Sequence, residues 1–259
     1  RCAPVQISWL GYCNSLGIKN MDYLIADENL ILTNEQDQYS EKIVYMPNTW
    51  STISLPKNLD QIIIKLNNQE KNFTYGSFNN FQKISDNTIK VWSKILNNSD
   101  SNLILKNSTG ENLKRLNEIL LDKFKSEKVD IKKITILLPT STREEHLYCY
   151  NQIDLALDTF PYPGVTTTFE SILMGVPVLT KKGFNFNSRC GESINLNLGM
   201  QEFIAENEED YFKKAIEIQT KKNFLYELKL NLRNKFLKSD LSNSKQFTVD
   251  FSSLLKSLL

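Results

Sequence analysis

The 259-residue sequence has one histidine, four cysteines and almost no imbalance of charge. The cysteines, Cys2, Cys13, Cys149 and Cys190, lie far apart without a C-x-x-C pair. One histidine cannot complete a tetrahedral ligand set with them, so no metal site is expected. The same sparse usage suits a reducing compartment better than a disulfide framework. With 31 basic against 30 acidic side chains, no field exists to hold a polyanion by counterion release, and nucleic acid is not an expected partner. No stretch approaches the roughly 20 apolar residues that a membrane span needs, and the first residues lack the basic-then-apolar order of a signal peptide. These absences predict a soluble, cytoplasmic protein. Position 1 is Arg, and "RCAPVQISWLGY" enters a strand pattern at once, which predicts a piece of a longer chain.

What is present is alternation. The length allows one large domain or two smaller ones. Strands are expected at Val5–Leu10, Tyr23–Ile25 and "EKIVYMP", then a weakly patterned stretch from about Trp50 to Lys71 with one apolar run, "QIIIKL". Beyond it, strands "FTYGSF", "NLILK", "ITILL", "DLALDTF" and "VPVLT" alternate with helices "DNTIKVWSKIL", "ENLKRLNEILLDKFKSE", "REEHLYCYNQ" and "TTFESILMG". Leu113, Leu116, Leu120 and Phe124 share one face of the second helix. This order predicts right-handed βαβ crossovers on a parallel α/β sheet. The final portion, from Asn207, reads as helices broken at "KSDLSNS".

Ligands of open parallel sheets bind beyond the carboxyl ends of the strands, and three such ends are polar here. In "DTFPYPGVTTTFE", prolines and Gly164 turn the chain before a helix that starts among Thr166, Thr167 and Thr168. A helix start suits a phosphate, and a glycine lets a ligand approach the backbone. The plain alternative is that Thr167 caps the helix, with Glu170 completing a capping box. In "YGSFNNFQKIS", Asn79, Asn80 and Lys83 crowd a strand-to-helix link; Lys83 either reaches a diphosphate or is a solvated lysine. In "LPTSTREEHLY", Arg143 and His146 sit at a helix start, where the Glu pair fits the helix dipole and a lone histidine is weak evidence for catalysis. Together the three ends describe a pocket for a base, a ribose and a diphosphate.

In order along the chain, "CAPVQISWLGY", "MDYLIAD", "YSEKIVYMP", "GSFNNFQKIS", "EEH", "DLALDTFPYPGVTTTFESILMGVPVLT" and "LGMQEFIAENEEDY" resemble the catalytic region of the SPINDLY and O-GlcNAc transferase family. The resemblance implies a GT-B fold of Rossmann-like halves, usually preceded by tetratricopeptide repeats. It implies inverting transfer of a sugar from a nucleotide sugar to Ser or Thr hydroxyls of proteins, with no metal or other cofactor. Residues 1–54 would then end the N-terminal, acceptor-side lobe, and 55–259 would form the nucleotide-sugar-binding lobe with its closing helices.

By this resemblance Lys83 stabilises the leaving diphosphate as the catalytic residue. Asn79 and Asn80 belong to the donor loop, Arg143 and His146 frame the nucleotide, Thr166 and Thr167 meet the phosphates after Gly164, and Glu170 binds the ribose. The first turn is "GYCNSLG" where the family commonly has "GYPGTTG", and Val165 stands where animal O-GlcNAc transferases have histidine. GlcNAc from UDP-GlcNAc is the first expectation and fucose from GDP-fucose the alternative. A nucleotide-sugar-binding fragment without turnover and a nucleotide-sugar epimerase are the readings of other classes. No general base is expected in this chain. The apolar face of "FTVDFSSLLKSLL" is expected to await an upstream lobe.

Overall fold

The computed structural model describes residues 1–66, 71–107 and 113–258. Two sheets share the strands. The first contains β1 (Ile7–Ser8), β2 (Tyr23–Ala26) and β3 (Lys42–Tyr45) in that spatial order. The second contains β4 (Phe73–Ser77), β5 (Ser101–Lys106), β6 (Ile134–Leu137), β7 (Leu155–Leu157), β8 (Val178–Lys181) and β9 (Ile204–Ala205). Its order is β6-β5-β4-β7-β8-β9, and neighbours pair in parallel. The chain thus builds outward from β4 to β6, then returns to lay β7 on the other side of β4. The order reverses between β4 and β7, and a crevice opens beyond the carboxyl ends of strands at such a switch point.

The crossovers are α1 (Asp86–Asn97), α2 (Leu113–Ser126), α3 (Arg143–Cys149), α4 (Thr166–Leu173) and α5 (Cys190–Asn197). Ser85 caps α1 by accepting the N–H of Thr88, and Ile89, Trp92 and Leu96 are buried on one face. In α2, Leu120 and Phe124 are buried; its expected start at Glu111 and Asn112 lies outside the described residues. Three helices close the chain: α6 (Glu208–Thr220), α7 (Lys222–Leu237) and α8 (Ser244–Ser257).

Some expected elements differ. The strand expected over Val5–Leu10 narrows to Ile7–Ser8, because Leu10 takes a positive φ of 64° and the chain turns. The helix α5 and strand β9 were not legible. Glu192, Ser193 and Asn195 are buried beside Cys190 and Ile194 in α5, so it shows no apolar stripe at helical spacing. The apolar face of α8 is also not left waiting. Phe247 and Phe251 lie against Trp9, with ring centroids 5.9 and 4.4 Å away, and Ile25 and Met46 complete the cluster.

The two sheets are tied together by buried polar contacts. Arg189, just before α5, donates to both carboxylate oxygens of Glu35 at 2.6 and 2.8 Å. That guanidinium holds the Glu35 carboxyl below its usual range. Asp27, after β2, accepts from Trp50 N at 3.0 Å and from the Ser193 hydroxyl at 3.0 Å. Trp50 meets Phe186 edge-on at 5.2 Å. Because bidentate Arg–carboxylate pairs have narrow geometry, these contacts fix how the first sheet faces the second.

Candidate functional site

A cleft of about 700 Å³ lies between the first sheet's loops and the carboxyl ends of β4, β5, β6 and β7. Leu10, Gly11, Cys13 and Trp50–Ile53 form one wall. Opposite them stand Asn79, Asn80, Lys83, Arg143, His146, Thr166, Thr167 and Glu170, which the structure therefore brings to one place. Gly164, expected with them, is buried and does not line the cleft.

Two hydrogen-bonded networks hold these side chains. At the β4/β7 switch point, Thr167 Oγ1 donates to Asn79 Oδ1 at 2.7 Å, and Asn79 Nδ2 donates to Asp158 Oδ1 at 3.0 Å and Thr159 Oγ1 at 3.1 Å. Asp158 also accepts the Gly164 N–H at 2.7 Å and the Thr180 hydroxyl at 2.9 Å. Burial pushes the Asp158 carboxyl up to about 6, against its hydrogen bonds and the pull of Lys83.

This arrangement overturns the expected cap. Thr167 does not cap α4, and Glu170 forms no capping box. The N-cap position is Val165, which offers no side-chain bond. Asn79 takes the Thr167 hydroxyl and Arg143 and His146 take the Glu170 carboxylate, so neither is free to close on the helix start. The capping box occurs instead on α3, where Thr142 and Glu145 bond reciprocally. The first-turn N–H groups of α4 thus lack a side-chain acceptor, and Thr166 and Thr167 line the cleft there. A helix start in that state carries partial positive charge and open donors, which suit an anion.

At Gly164 the protein itself needs the space that a side chain would take. A Cβ built on it would stand 2.4 Å from Thr167 Oγ1 and 2.9 Å from Asn79 Oδ1. The missing side chain makes room for the network. Gly164→Ala is therefore expected to lower stability by about 1–3 kcal/mol, the usual cost of overpacking, and to weaken anion binding by displacing Thr167. Urea melts and phosphate-analogue titration check both halves, and an unchanged variant would contradict the packing account.

Lys83 reaches over the same region. Its ammonium donates to Pro163 O at 3.0 Å and lies 4.2 Å above the Tyr162 ring. Burial lowers its pKa, while Asp158 pulls the other way. Asn80 is exposed at the rim, and its side chain accepts from Gln82 N.

The second network lies toward β5 and β6. Glu170 Oε1 accepts from Arg143 Nε at 3.1 Å, and Glu170 Oε2 stands 3.3 Å from His146 Nε2. Arg143 Nη1 also donates to Ser54 O at 3.0 Å. Each carboxylate oxygen retains a second lone-pair site, so Glu170 can still accept from a hydroxyl of a ligand. Behind His146 stands Lys106, whose ammonium is 2.9 Å from Nδ1. His146 is packed edge-on against Tyr150 and Phe78.

Asp158 and Lys106 were missed as site residues. Each closes an apolar strand, after "LAL" and "LIL", and a charged residue at a strand's carboxyl end was the available signal. Among the described residues, no group of three or more His, Cys, Asp or Glu side chains is placed to hold a metal ion.

The sequence profile described as Glycosyl transferase family 41 matches residues 1–72 and 61–251. The chain belongs to that family. Among family relatives, a protein of Solanum lycopersicum named probable UDP-N-acetylglucosamine–peptide N-acetylglucosaminyltransferase SPINDLY is 31% identical over 265 residues. The match covers 100% of this chain and 28% of that protein, so the chain spans little more than a quarter of the relative's length. The solved O-GlcNAc transferase of Thermobaculum terrenum superposes with a TM-score of 0.89 at 28% identity, covering 98% of this chain and 48% of the other. Sucrose-phosphate synthase of Thermosynechococcus elongatus, at a TM-score of 0.63 and 11% identity over 93% of this chain and 59% of that one, shares the fold alone. The α/β architecture is thus that of GT-B glycosyltransferases. Within this family fold, the cleft lies at the switch point of the second sheet. No helix among the described residues is long and apolar enough to cross a membrane.

Proposed function

We propose that this chain carries the donor site of a cytoplasmic protein O-glycosyltransferase. The whole protein transfers GlcNAc from UDP-GlcNAc to Ser or Thr hydroxyls with inversion and without a metal. Residues 55–259 hold the nucleotide sugar, residues 1–54 close its acceptor side, and an upstream catalytic lobe with tetratricopeptide repeats supplies the acceptor contacts. The observation that carries this reading is the pairing of Lys83 with the uncapped start of α4 at Thr166 and Thr167 across one cleft.

As the sugar–phosphate bond breaks, negative charge grows on the diphosphate oxygens. Donors held in place before reaction stabilise that charge more than they stabilise the ground state, which is the condition for acceleration. In this proposal the Lys83 ammonium and the α4 N–H groups are those donors. Thr167 is kept in register by Asn79, and Asp158 anchors Asn79 and Gly164. Glu170 accepts from the ribose hydroxyls while Arg143 and His146 hold its carboxylate in position.

The test is a transfer assay with the full-length protein, UDP-GlcNAc and a Ser-rich acceptor peptide in chelator, read by mass. Peptide gaining one GlcNAc supports the reading. Transfer from GDP-fucose alone would replace the donor, and the smaller Val165 beside Thr166 is the feature favouring that variant. Epimerisation or hydrolysis with no peptide product would contradict protein glycosylation.

A further inference from the structure

Lys106 closes β5 with only 1% of its surface exposed, yet it lines the cleft. Among the described residues no carboxylate lies within salt-bridge distance of its ammonium. Its protein partners are His146 Nδ1 at 2.9 Å and Thr140 Oγ1 at 3.3 Å. An ammonium has three N–H donors and no acceptor, so the third donor has no protein partner among the described residues. Burying a lysine with one donor unmet is costly. A ligand acceptor in the cleft would remove that cost.

The sheet order indicates which part of a ligand meets it. The anion-binding features follow β4 and β7, at Lys83, Thr166 and Thr167. The end of β5 is two strand spacings from β7, roughly 10 Å away at ~4.8 Å per strand. Next to it, after β6, come Thr140, Arg143 and His146. Between the two ends stands Glu170, placed for ribose hydroxyls. A nucleoside diphosphate with its phosphates at α4 and its ribose at Glu170 carries its base toward β5 and β6.

The partners of Lys106 also fix the imidazole. Because the ammonium can only donate, His146 Nδ1 accepts, and the ring proton sits on Nε2 facing Glu170 Oε2 at 3.3 Å. The wall around Lys106 is therefore set as a hydrogen-bond donor, and an exocyclic amino group facing it would meet donor with donor.

We infer that Lys106 is a specificity-determining residue that donates to the exocyclic keto oxygen of the nucleobase, O4 of uracil or O6 of guanine, and so rejects cytosine and adenine. This rests on the donor-site reading above. Lys106 is a binding residue in this account and has no part in bond cleavage.

The test compares dissociation constants of the protein for UDP, CDP, GDP and ADP, with pyrophosphate as a base-free control. The wild type is expected to bind the keto member of at least one pair, UDP over CDP or GDP over ADP, about tenfold or more tightly, the minimum for one well-made donor contact in a dry site. In Lys106→Met, which keeps side-chain length, that ratio is expected to fall to within about threefold, with pyrophosphate affinity unchanged. Circular dichroism melting confirms that the variant is folded, and the wild-type ratios test the inference without any variant. Equal affinities within both pairs, or a ratio that survives Lys106→Met, would overturn the role of Lys106 while leaving the donor site standing. No binding of any nucleoside diphosphate by the wild type would overturn the donor-site reading and this inference together.

Discussion

Lys83→Met in the full-length protein is expected to lower turnover by about 10²–10³-fold, the typical cost of removing one preorganised donor from a developing oxyanion. The physical basis is position before reaction. Lys83 is anchored on Pro163 O and over the Tyr162 ring, so its charge stands at the cleft without having to be gathered from solvent. Methionine keeps most of the volume and lets the ring packing persist, so the melting temperature is expected to hold. The loss should fall on kcat more than on KM, because charge on the leaving diphosphate is greatest in the transition state. Steady-state kinetics of the folded variant check this. An equal rise in KM with unchanged kcat would make Lys83 a ground-state binder.

Asp158→Ala is expected to have the largest effect on stability, on the order of 3 kcal/mol, because it leaves several buried donors without an acceptor. Those donors are the N–H groups of Gly164 and Thr159, the Asn79 amide and the Thr180 hydroxyl. Since Asn79 then loses its hold on Thr167, nucleotide binding should fall with stability. Asp158→Asn separates charge from shape. Burial raises the folded-state pKa from 3.8 to about 6, so the folded state binds its proton more tightly than the unfolded chain does. The stability contributed by this group is present below the unfolded value and is lost as pH rises through about 6. Asparagine has no such slope. Relative to wild type, Asp158→Asn should therefore gain on the order of 3 kcal/mol between pH 4 and pH 7, at about 1.4 kcal/mol per pKa unit. Urea unfolding at the two pH values checks it, and a pH-independent difference would contradict the buried-carboxyl account.

The regular half of the chain was legible because each segment buries one face. Trp92 and Leu96 in α1, and Leu120 and Phe124 in α2, are the residues their spacing selects. The alternation of strands and helices predicted the parallel sheet, and each of the eight expected strand segments overlaps a strand of the structure. What spacing could not decide was the use of identical local signals. Thr142 to Glu145 and Thr167 to Glu170 have the same T-x-x-E form, yet only the first is a capping box. The difference is tertiary. Asn79, Arg143 and His146 reach the second pair from other strand ends, and no local pattern contains them.

The same reason hid Asp158 and Lys106. Each reads locally as the polar end of an apolar strand, and each gains its role from residues distant in sequence: Asn79 and Thr180 for Asp158, His146 and Thr140 for Lys106. In α5, buried polar residues removed the periodicity that would have marked a helix. Loss of pattern thus coincides with the contacts that join the two sheets, at Arg189 with Glu35 and Ser193 with Asp27.

The central claim is that the cleft at the β4/β7 switch point binds a nucleoside diphosphate through Lys83 and the start of α4. Calorimetric titration of the chain with UDP and GDP in the presence of a chelator tests it most directly. The account predicts saturable binding of at least one of them, competed by pyrophosphate and weakened in Thr167→Val. A folded chain that binds neither nucleotide would contradict it.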